Sequence, residues 1–401
     1  MTGDSLPHRD GAEGWRFWVD RGGTFTDLVA LAPDGRRLTH KLLSENPAHY
    51  EEAVTAGIRQ IMGLGSEASL PGHLIRHLKM GTTVATNALL ERKGDRVLVL
   101  TTKGFGDAWL IGNQARPDLF AREIRRPPVI YERIVEIPER VSATGEILSP
   151  LDEDGLRQIL EAAFRDGLKS VAIAFLHGYR FSGHEARAAE IAREIGFPQV
   201  SASHEISPLI KLIPRGETTI VDAYLNPVLR RYVEGVAAAL GDVRLMFMQS
   251  SGGLADARFF RGKDSILSGP AGGIVGAVKT SEAAGFERLI TFDMGGTSTD
   301  VAHYAGQYER SLDNEVAGTR LQVPMMRIHT VAAGGGSICR FDGARLRVGP
   351  ESAGAEPGPA SYRRGGPLTV TDCNVMLGKI QPGFFRRCLA PAAISGLIAP
   401  S

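Results

Sequence analysis

The sequence predicts an α/β protein built from two related lobes, and three observations carry that prediction. Apolar strand-like runs alternate with amphipathic helical segments along most of the chain. An eight-residue motif occurs twice, at residues 20–27 (DRGGTFTD) and 293–300 (DMGGTSTD), with six of eight positions identical. The 48 glycines in 401 residues, about 12% against a usual ~7%, gather in pairs and triplets between the apolar runs.

Each element has a local reason. Residues 16–19 form a short apolar strand ending at Asp20, a glycine turn follows, and residues 28–32 return as a second strand. Asn46 is expected as an N-cap with Pro47 at the first helical position, before a helix burying Val54, Ile58, Ile61 and Met62. Residues 152–167 space Leu156, Ile159, Leu160, Ala163 and Phe164 for one helical face. Residues 170–176 (SVAIAFL) read as a buried strand. Ser182 with Glu185 carries a capping-box signature for the next helix, which Gly196 ends. A second unit is expected from near Thr218, with its boundary between about 200 and 218. In it, residues 227–240 and 272–285 read as helices, and 243–248 and 288–293 as strands.

Composition narrows the function. Lys and Arg number 46 and Asp and Glu 45, so the net charge of +1 gives no electrostatic case for nucleic acid or an acidic membrane. The three cysteines, Cys339, Cys373 and Cys388, form no CxxC pair, which argues against a zinc ribbon or a disulfide scaffold. They fit a reducing compartment, and a cytoplasmic location is expected. Residues 1–15 are polar, lack the apolar core of a secretory signal and are expected to be disordered. No run of 18 uncharged apolar residues suggests a membrane span.

The repeated motif carries the chemistry. A glycine pair removes side chains from consecutive backbone N–H groups, which can then face phosphate oxygens. Gly22, Gly23, Thr24 and Thr26 would form one such loop, and Gly295, Gly296 and Thr297 the other. Asp20 and Asp293, each at a strand end, are candidates for holding magnesium through water and for the catalytic role. There is neither a Walker A sequence nor a GxGxxG turn. A plain glycine hairpin is the competing reading for one copy; two matching copies argue against it. A third glycine run, Gly334, Gly335, Gly336 and Ser337, follows an apolar strand and could lie flat against an adenosine; alone it would read as a flexible loop.

This trio resembles the actin, hexokinase and Hsp70 ATPase superfamily, in which two ribonuclease-H-like lobes flank a nucleotide cleft. Longer stretches are similar to the hydantoinase A and 5-oxoprolinase family. They are residues 41–50 (KLLSENPAHY), 80–94 (MGTTVATNALLERKG), 111–120 (IGNQARPDLF), 214–225 (PRGETTIVDAYL), 268–273 (SGPAGG) and 348–372 (VGPESAGAEPGPASYRRGGPLTVTD). The resemblance runs from about Arg16 to about Phe385 and implies an N-terminal lobe over 16–210 and a second over 211–385. It implies ATP-dependent opening of 5-oxo-L-proline to L-glutamate through phosphorylation of the lactam oxygen, with magnesium and potassium. It also implies an oligomer of identical or different chains and a hydantoinase-B-like partner.

A ligand carboxylate calls for an arginine or N–H donors. Asn113 and Arg116 are the first substrate candidates and Arg215 the second, although an ion pair is the commoner fate of an arginine. Thr82, Thr83, Thr86 and Asn87 could line the cleft or cap the following helix. The family continues beyond this length, so the second lobe is expected to be incomplete. Residues 386–401 do not look like family sequence, and Cys373 stands where the family usually has alanine. A hydantoin- or ketone-activating enzyme of the same family, and a non-catalytic nucleotide-binding remnant, stay open as alternatives.

Overall fold

The structure, a computed structural model, describes residues 14–381 apart from 24, 47–48, 113–119, 121, 124–128 and 355. The expectations for residues 1–13 and 386–401 lie outside the described residues. The chain divides into two compact units, one of Met1–Gly272 with Arg310–Met326, the other of Gly273–Glu309 with Arg327–Ser401.

The first unit is built on a six-stranded and a four-stranded sheet. β1 (Trp15–Arg21), β2 (Phe25–Leu31) and β3 (Arg37–Leu43) form a meander, followed by helix α1 (Ala53–Met62) and β4 (Ile75–Thr82). β1 alternates strictly: Phe17 and Val19 face the core, Trp18 and Asp20 face outward. β4 lies parallel to β1, with Met80 opposite Val19. The cap of α1 is Glu52, not Asn46: the Glu52 carboxylate accepts from the amides of Val54 and Thr55 at 3.0 and 2.8 Å. Asn46 instead forms an isolated bridge with Tyr50.

Helix α2 (Val84–Leu90) leads to β5 (Val97–Thr102), β6 (Arg133–Ile137), helix α3 (Glu153–Arg165), β7 (Ser170–Ala174), helix α4 (Gly183–Ile195) and β8 (Gln199–Ala202). The strands form a parallel sheet in the order β8-β7-β5-β6. β5 and β7 are buried along their whole length, which is why they read as unbroken apolar runs. Asp152 caps α3 through the amide of Gly155. The capping box expected at α4 is absent. Ser182 makes no side-chain cap, and Glu185 turns inward, accepting from the Phe175 amide, the Ser203 hydroxyl and both the amide and Nδ1 of His204.

Helix α5 runs unbroken over Leu212–Leu240, with Pro227 inside it rather than at its start. Ile220, Val221, Tyr224 and Leu225 pack into one core with Val97, Val99, Ala172 and Ala174. The boundary expected between 200 and 218 therefore separates no compact units; α5 buries itself against the sheet that precedes it. β9 (Arg244–Met248) and β10 (Leu254–Asp256) complete the first sheet in the order β10-β9-β4-β1-β2-β3.

Helix α6 (Ser268–Ala283) begins four residues before the expected 272 and carries the chain into the second unit. There β11 (Arg288–Met294) and β12 (Thr299–Ala305) form the second motif hairpin. A hairpin of β13 (Arg310–Val316) and β14 (Thr319–Met326) returns to the first unit, where Leu321, Val323 and Met325 join the α5 core. β15 (His329–Val331) pairs with β12, so the sheet order is β11-β12-β15. β16 (Ser337–Phe341), β17 (Leu346–Ser352) and helix α7 (Val370–Met376) finish the described chain. Among the described residues no helix is long and apolar enough to cross a membrane.

Candidate active site

The two motif copies fold the same way. Asp20 lies opposite Asp27 in the β1–β2 register, and Asp293 opposite Asp300 in the β11–β12 register. The turn closes on one hydrogen bond in each copy: Gly22 N donates to Phe25 O at 2.9 Å, and Gly295 N to Ser298 O at 2.8 Å. Asp20 and Asp293 are both exposed, each the last residue but one of its strand. The closing aspartates serve the scaffold. Lys41 Nζ pairs with Asp27 at 2.6 Å, and Thr330 donates to Asp300 at 2.7 Å.

In the first unit, the Asp20 carboxylate rests over bare backbone. A Cβ on Gly81 would come within 3.3 Å of Asp20 Oδ1, and one on Gly269 within 3.8 Å. Gly81 comes from β4, and Gly269 opens α6, so three segments meet at one carboxylate oxygen. Hydroxyls tie these segments together. Thr83 donates to Arg21 O, Thr86 accepts from the Leu267 amide, and Ser268 donates to Thr82 O. The amide nitrogen of Asn87 lies 3.2 Å from where a Gly23 side chain would stand. Asn87 is one of the expected cleft-lining residues; Gly81 and Gly269 are parts of this site that the motif did not reveal, since they become neighbours only through the parallel β1–β4 pairing.

Several expected ligand groups have scaffold roles. Thr26 is fully buried and its hydroxyl shares a hydrogen bond with Ser44, which also donates to Gly22 O. Its counterpart Thr299 donates to Ala333 O. Thr82 is fully buried and accepts from the Val84 amide, so the capping reading describes it better than a cleft lining. Arg215 is also fully buried; its guanidinium donates to the carbonyls of Leu209, Phe175 and Leu176, which leaves it bound to the fold rather than open to a ligand. Thr24, Asn113 and Arg116 lie outside the described residues.

In the second unit, the glycine run braces the second motif. Gly335 N donates to Gly295 O at 2.8 Å and Gly336 N to Gly296 O at 2.6 Å. A side chain on Gly334 would stand 2.7 Å from Gly296 C, and one on Gly336 2.9 Å from Gly296 O. Gly334 to Ser337 are buried, while Asp293, Gly295, Gly296 and Thr297 stand exposed. The expectation that these three glycines lie flat against an adenosine is thus replaced by a backbone-to-backbone contact.

A cavity of about 780 Å³ in the first unit opens beside Gly112, with Phe105, Leu176, Lys211, Asp313, Glu315 and Arg320 in its walls. A Gly112 side chain would sit 3.9 Å from Arg320 Nη1 and 4.0 Å from Glu217 Oε1. Burial pushes the Glu217 carboxyl above its usual range against the pull of Arg320. Its Oε2 has no hydrogen-bond partner among the described residues.

Among the described residues no three His, Cys, Asp or Glu side chains gather as a metal cage. Single carboxylates beside glycine turns suit a magnesium ion that arrives on phosphates and keeps several waters.

Paired Asp-x-Gly-Gly hairpins in an α/β protein define an ATPase-type fold, and comparison with known proteins agrees. Residues 16–196 match the Hydantoinase/oxoprolinase N-terminal region and residues 215–393 the Hydantoinase/oxoprolinase model. The chain belongs to the hydantoinase/oxoprolinase family. It is 44% identical to 5-oxoprolinase 1 of Arabidopsis thaliana over 94% of this chain and 32% of that protein. The crystal structure of the ATP-dependent caprolactamase from Pseudomonas jessenii superposes with a TM-score of 0.75 and 33% identity, over 91% of this chain and 55% of that one. A nucleotide-free acetone carboxylase shares the fold, with a TM-score of 0.72 and 24% identity over 92% of this chain and 55% of that one. The chain spans about a third of the length of the 5-oxoprolinase relatives it matches.

Proposed function

We propose that this chain is the ATP-handling part of a lactam-opening enzyme, with 5-oxo-L-proline as substrate and L-glutamate as product. The observation that carries the reading is the repeated hairpin, with one turn hydrogen bond and one aspartate register in both copies. The relatives named 5-oxoprolinase, at 42–44% identity, support the substrate.

A lactam resists water because its nitrogen lone pair is delocalised into the carbonyl. In the proposed reaction the lactam oxygen attacks the γ-phosphorus of ATP, the bond to the bridging oxygen breaks, and ADP leaves as the N–H proton is lost. Water then adds to the activated carbon and the C–N bond opens, the nitrogen taking up a proton, which leaves an acyl phosphate; a second water displaces phosphate, which carries off the former lactam oxygen and leaves the carboxylate of L-glutamate. The N–H groups of Gly23 and Gly296, both exposed, would bind phosphate oxygens, while those of Gly22 and Gly295 close the turns. Asp20 and Asp293 would orient hydrated magnesium, which when bound neutralises phosphate charge. Thr83 would hold the first turn through the Arg21 carbonyl. The Gly112 cavity, with Lys211 and Arg320 in its wall, has cations to receive the lactam carboxylate. A hydantoinase-B-like partner is part of the proposal, supported by a 35% identical relative named caprolactamase subunit alpha.

The test is ADP release by the purified chain with magnesium, potassium and ATP, alone, with 5-oxo-L-proline and with caprolactam. Stimulation by 5-oxo-L-proline alone is the expected result. Stimulation by caprolactam alone would move the substrate assignment, and no release with or without a lactam would overturn the ATP reading.

A further inference from the structure

Two thiols meet beside the glycine run of the second unit. Cys339 lies on β16, two residues beyond Ser337, and Cys373 lies within α7. Backbone bonds fix the corner between them. Cys339 N donates to Leu368 O at 2.8 Å, and Ile338 forms a bridge with Thr369. Cys373 N donates to Thr369 O at 3.2 Å. The two cysteines therefore hang from either side of one hydrogen-bonded corner, although far apart in sequence.

Their side chains reach each other. Cys339 Sγ lies 3.9 Å from Ser337 O and within hydrogen-bonding reach of the Cys373 sulfur. Burial, then the Cys373 sulfur beside it, holds the Cys339 thiol above its usual range. Both thiols are half-buried, so neither is sealed from small reagents. The neighbouring carboxylate, Asp372, is already committed: it accepts from the amides of Ala360, Ser361 and Thr369 at 3.2, 2.7 and 2.7 Å. With no third ligand among the described residues, the pair suits dithiol chemistry better than a structural metal.

We infer that Cys339 and Cys373 form a modification site, a dithiol that a small-molecule disulfide converts reversibly into an intramolecular disulfide. The Cys373 thiolate attacks one sulfur of the oxidant, expels one small thiol and forms a mixed disulfide. Cys339 then loses its proton, attacks the Cys373 sulfur and expels the second small thiol. One S–S bond breaks and one forms, two electrons pass to the oxidant, and both protein protons finish on the released thiols. The new bond would clamp β16 to α7. The same corner holds the glycine run, since Thr371 N donates to Gly335 O at 2.7 Å, and Gly335 N and Gly336 N donate onward to Gly295 O and Gly296 O. The redox state of the pair would thus reach the second motif. The disulfide itself is inferred independently of the ATP reading.

The test treats the folded full chain with oxidised glutathione, then alkylates it and maps the peptides by mass spectrometry. Cys388, outside the described residues, serves as the reference thiol. The expected product is a Cys339–Cys373 link, reversed by dithiothreitol and about tenfold or more in excess over any link to Cys388, a preference that guanidinium chloride removes. In the oxidised chain the amides of Cys339 and Thr371 should exchange about tenfold more slowly or better. Cys373→Ser should abolish both effects. Phenylarsine oxide, which needs two adjacent thiols, should protect Cys339 and Cys373 from alkylation together, and should protect neither partner in Cys339→Ser or Cys373→Ser. Separate glutathione adducts on the two cysteines of a folded chain would overturn the inference, as would a dominant link to Cys388 or no link. A Cys339–Cys373 link with unchanged exchange at Thr371 would overturn its reach to the second motif.

Discussion

Gly334→Ala tests whether the glycine run positions the second phosphate hairpin. Gly334 has no left-handed backbone angle, so alanine is barred there only by contact. The new Cβ would lie 2.7 Å from Gly296 C and 2.8 Å from the oxygens of Gly295 and Gly296, against the 3.4 Å at which ordinary contact begins. All three are backbone atoms, so the hairpin or the run must move by about 0.7 Å. Such a shift strains the bonds from Gly335 N to Gly295 O and from Gly336 N to Gly296 O. Overpacking of this kind costs about 1–3 kcal/mol and each strained bond about 0.5–1.5 kcal/mol. The local destabilisation should reach about 2–6 kcal/mol, so amide exchange around residues 293–300 should rise by roughly thirtyfold or more. ADP release should fall with it. Gly235→Ala in α5, where a side chain meets nothing within 4 Å, is the control and should be neutral or stabilising by about 1 kcal/mol. Unchanged exchange at 293–300 together with normal ADP release in Gly334→Ala would refute the bracing role.

Three further outcomes are expected. Asp20→Ala and Asp293→Ala should each abolish magnesium-dependent ADP release while leaving the circular dichroism spectrum and melting curve unchanged; normal turnover in both would remove the phosphate-loop assignment. His77 should titrate at about 4, because burial, then Lys79 and Arg16, disfavour its cation. The unfolded chain binds that proton near 6.5, so stability should fall on acidification from about 6.5 to 4, and His77→Gln should flatten that part of the profile. His204 is raised by its hydrogen bond to Glu185, so the stability this pair adds is complete below 6.5 and declines as pH rises through the higher folded value. Glu185→Ala should remove that slope and destabilise the chain by about 3–5 kcal/mol, since several buried donors lose their acceptor.

The hairpins were readable because a repeated turn leaves its glycines and aspartates in sequence. The register, the exposed Asp20 and Asp293 and the strand on each side follow directly from them. The surroundings were not readable. Gly81 and Gly269 reach the first turn only after β1 and β4 pair across more than fifty residues of chain, a contact no local pattern encodes. Arg215 and Thr26 looked like ligand donors because their types bind anions. Whether such a group faces solvent or a carbonyl is decided by the helix or strand around it. Glu185 failed as a cap for the same reason, since the buried Phe175 and His204 amides compete for its carboxylate. Pro227 misplaced a helix start because an interior proline is tolerated where packing on both sides holds the helix.

The hairpin of residues 310–326 sets an order of events during synthesis. Leu321, Val323 and Met325 fill one side of the α5 core, yet they leave the ribosome after the whole β11–β12 hairpin of the other unit. A nascent chain that has reached Gly272 therefore carries an apolar gap along α5 that its own earlier residues do not close. The first unit reaches its final core only once Met326 has emerged, with the second motif already made and carried as an insertion between its two parts. An excised first unit must keep 310–326, or it will expose Ile220, Tyr224 and their neighbours to aggregation.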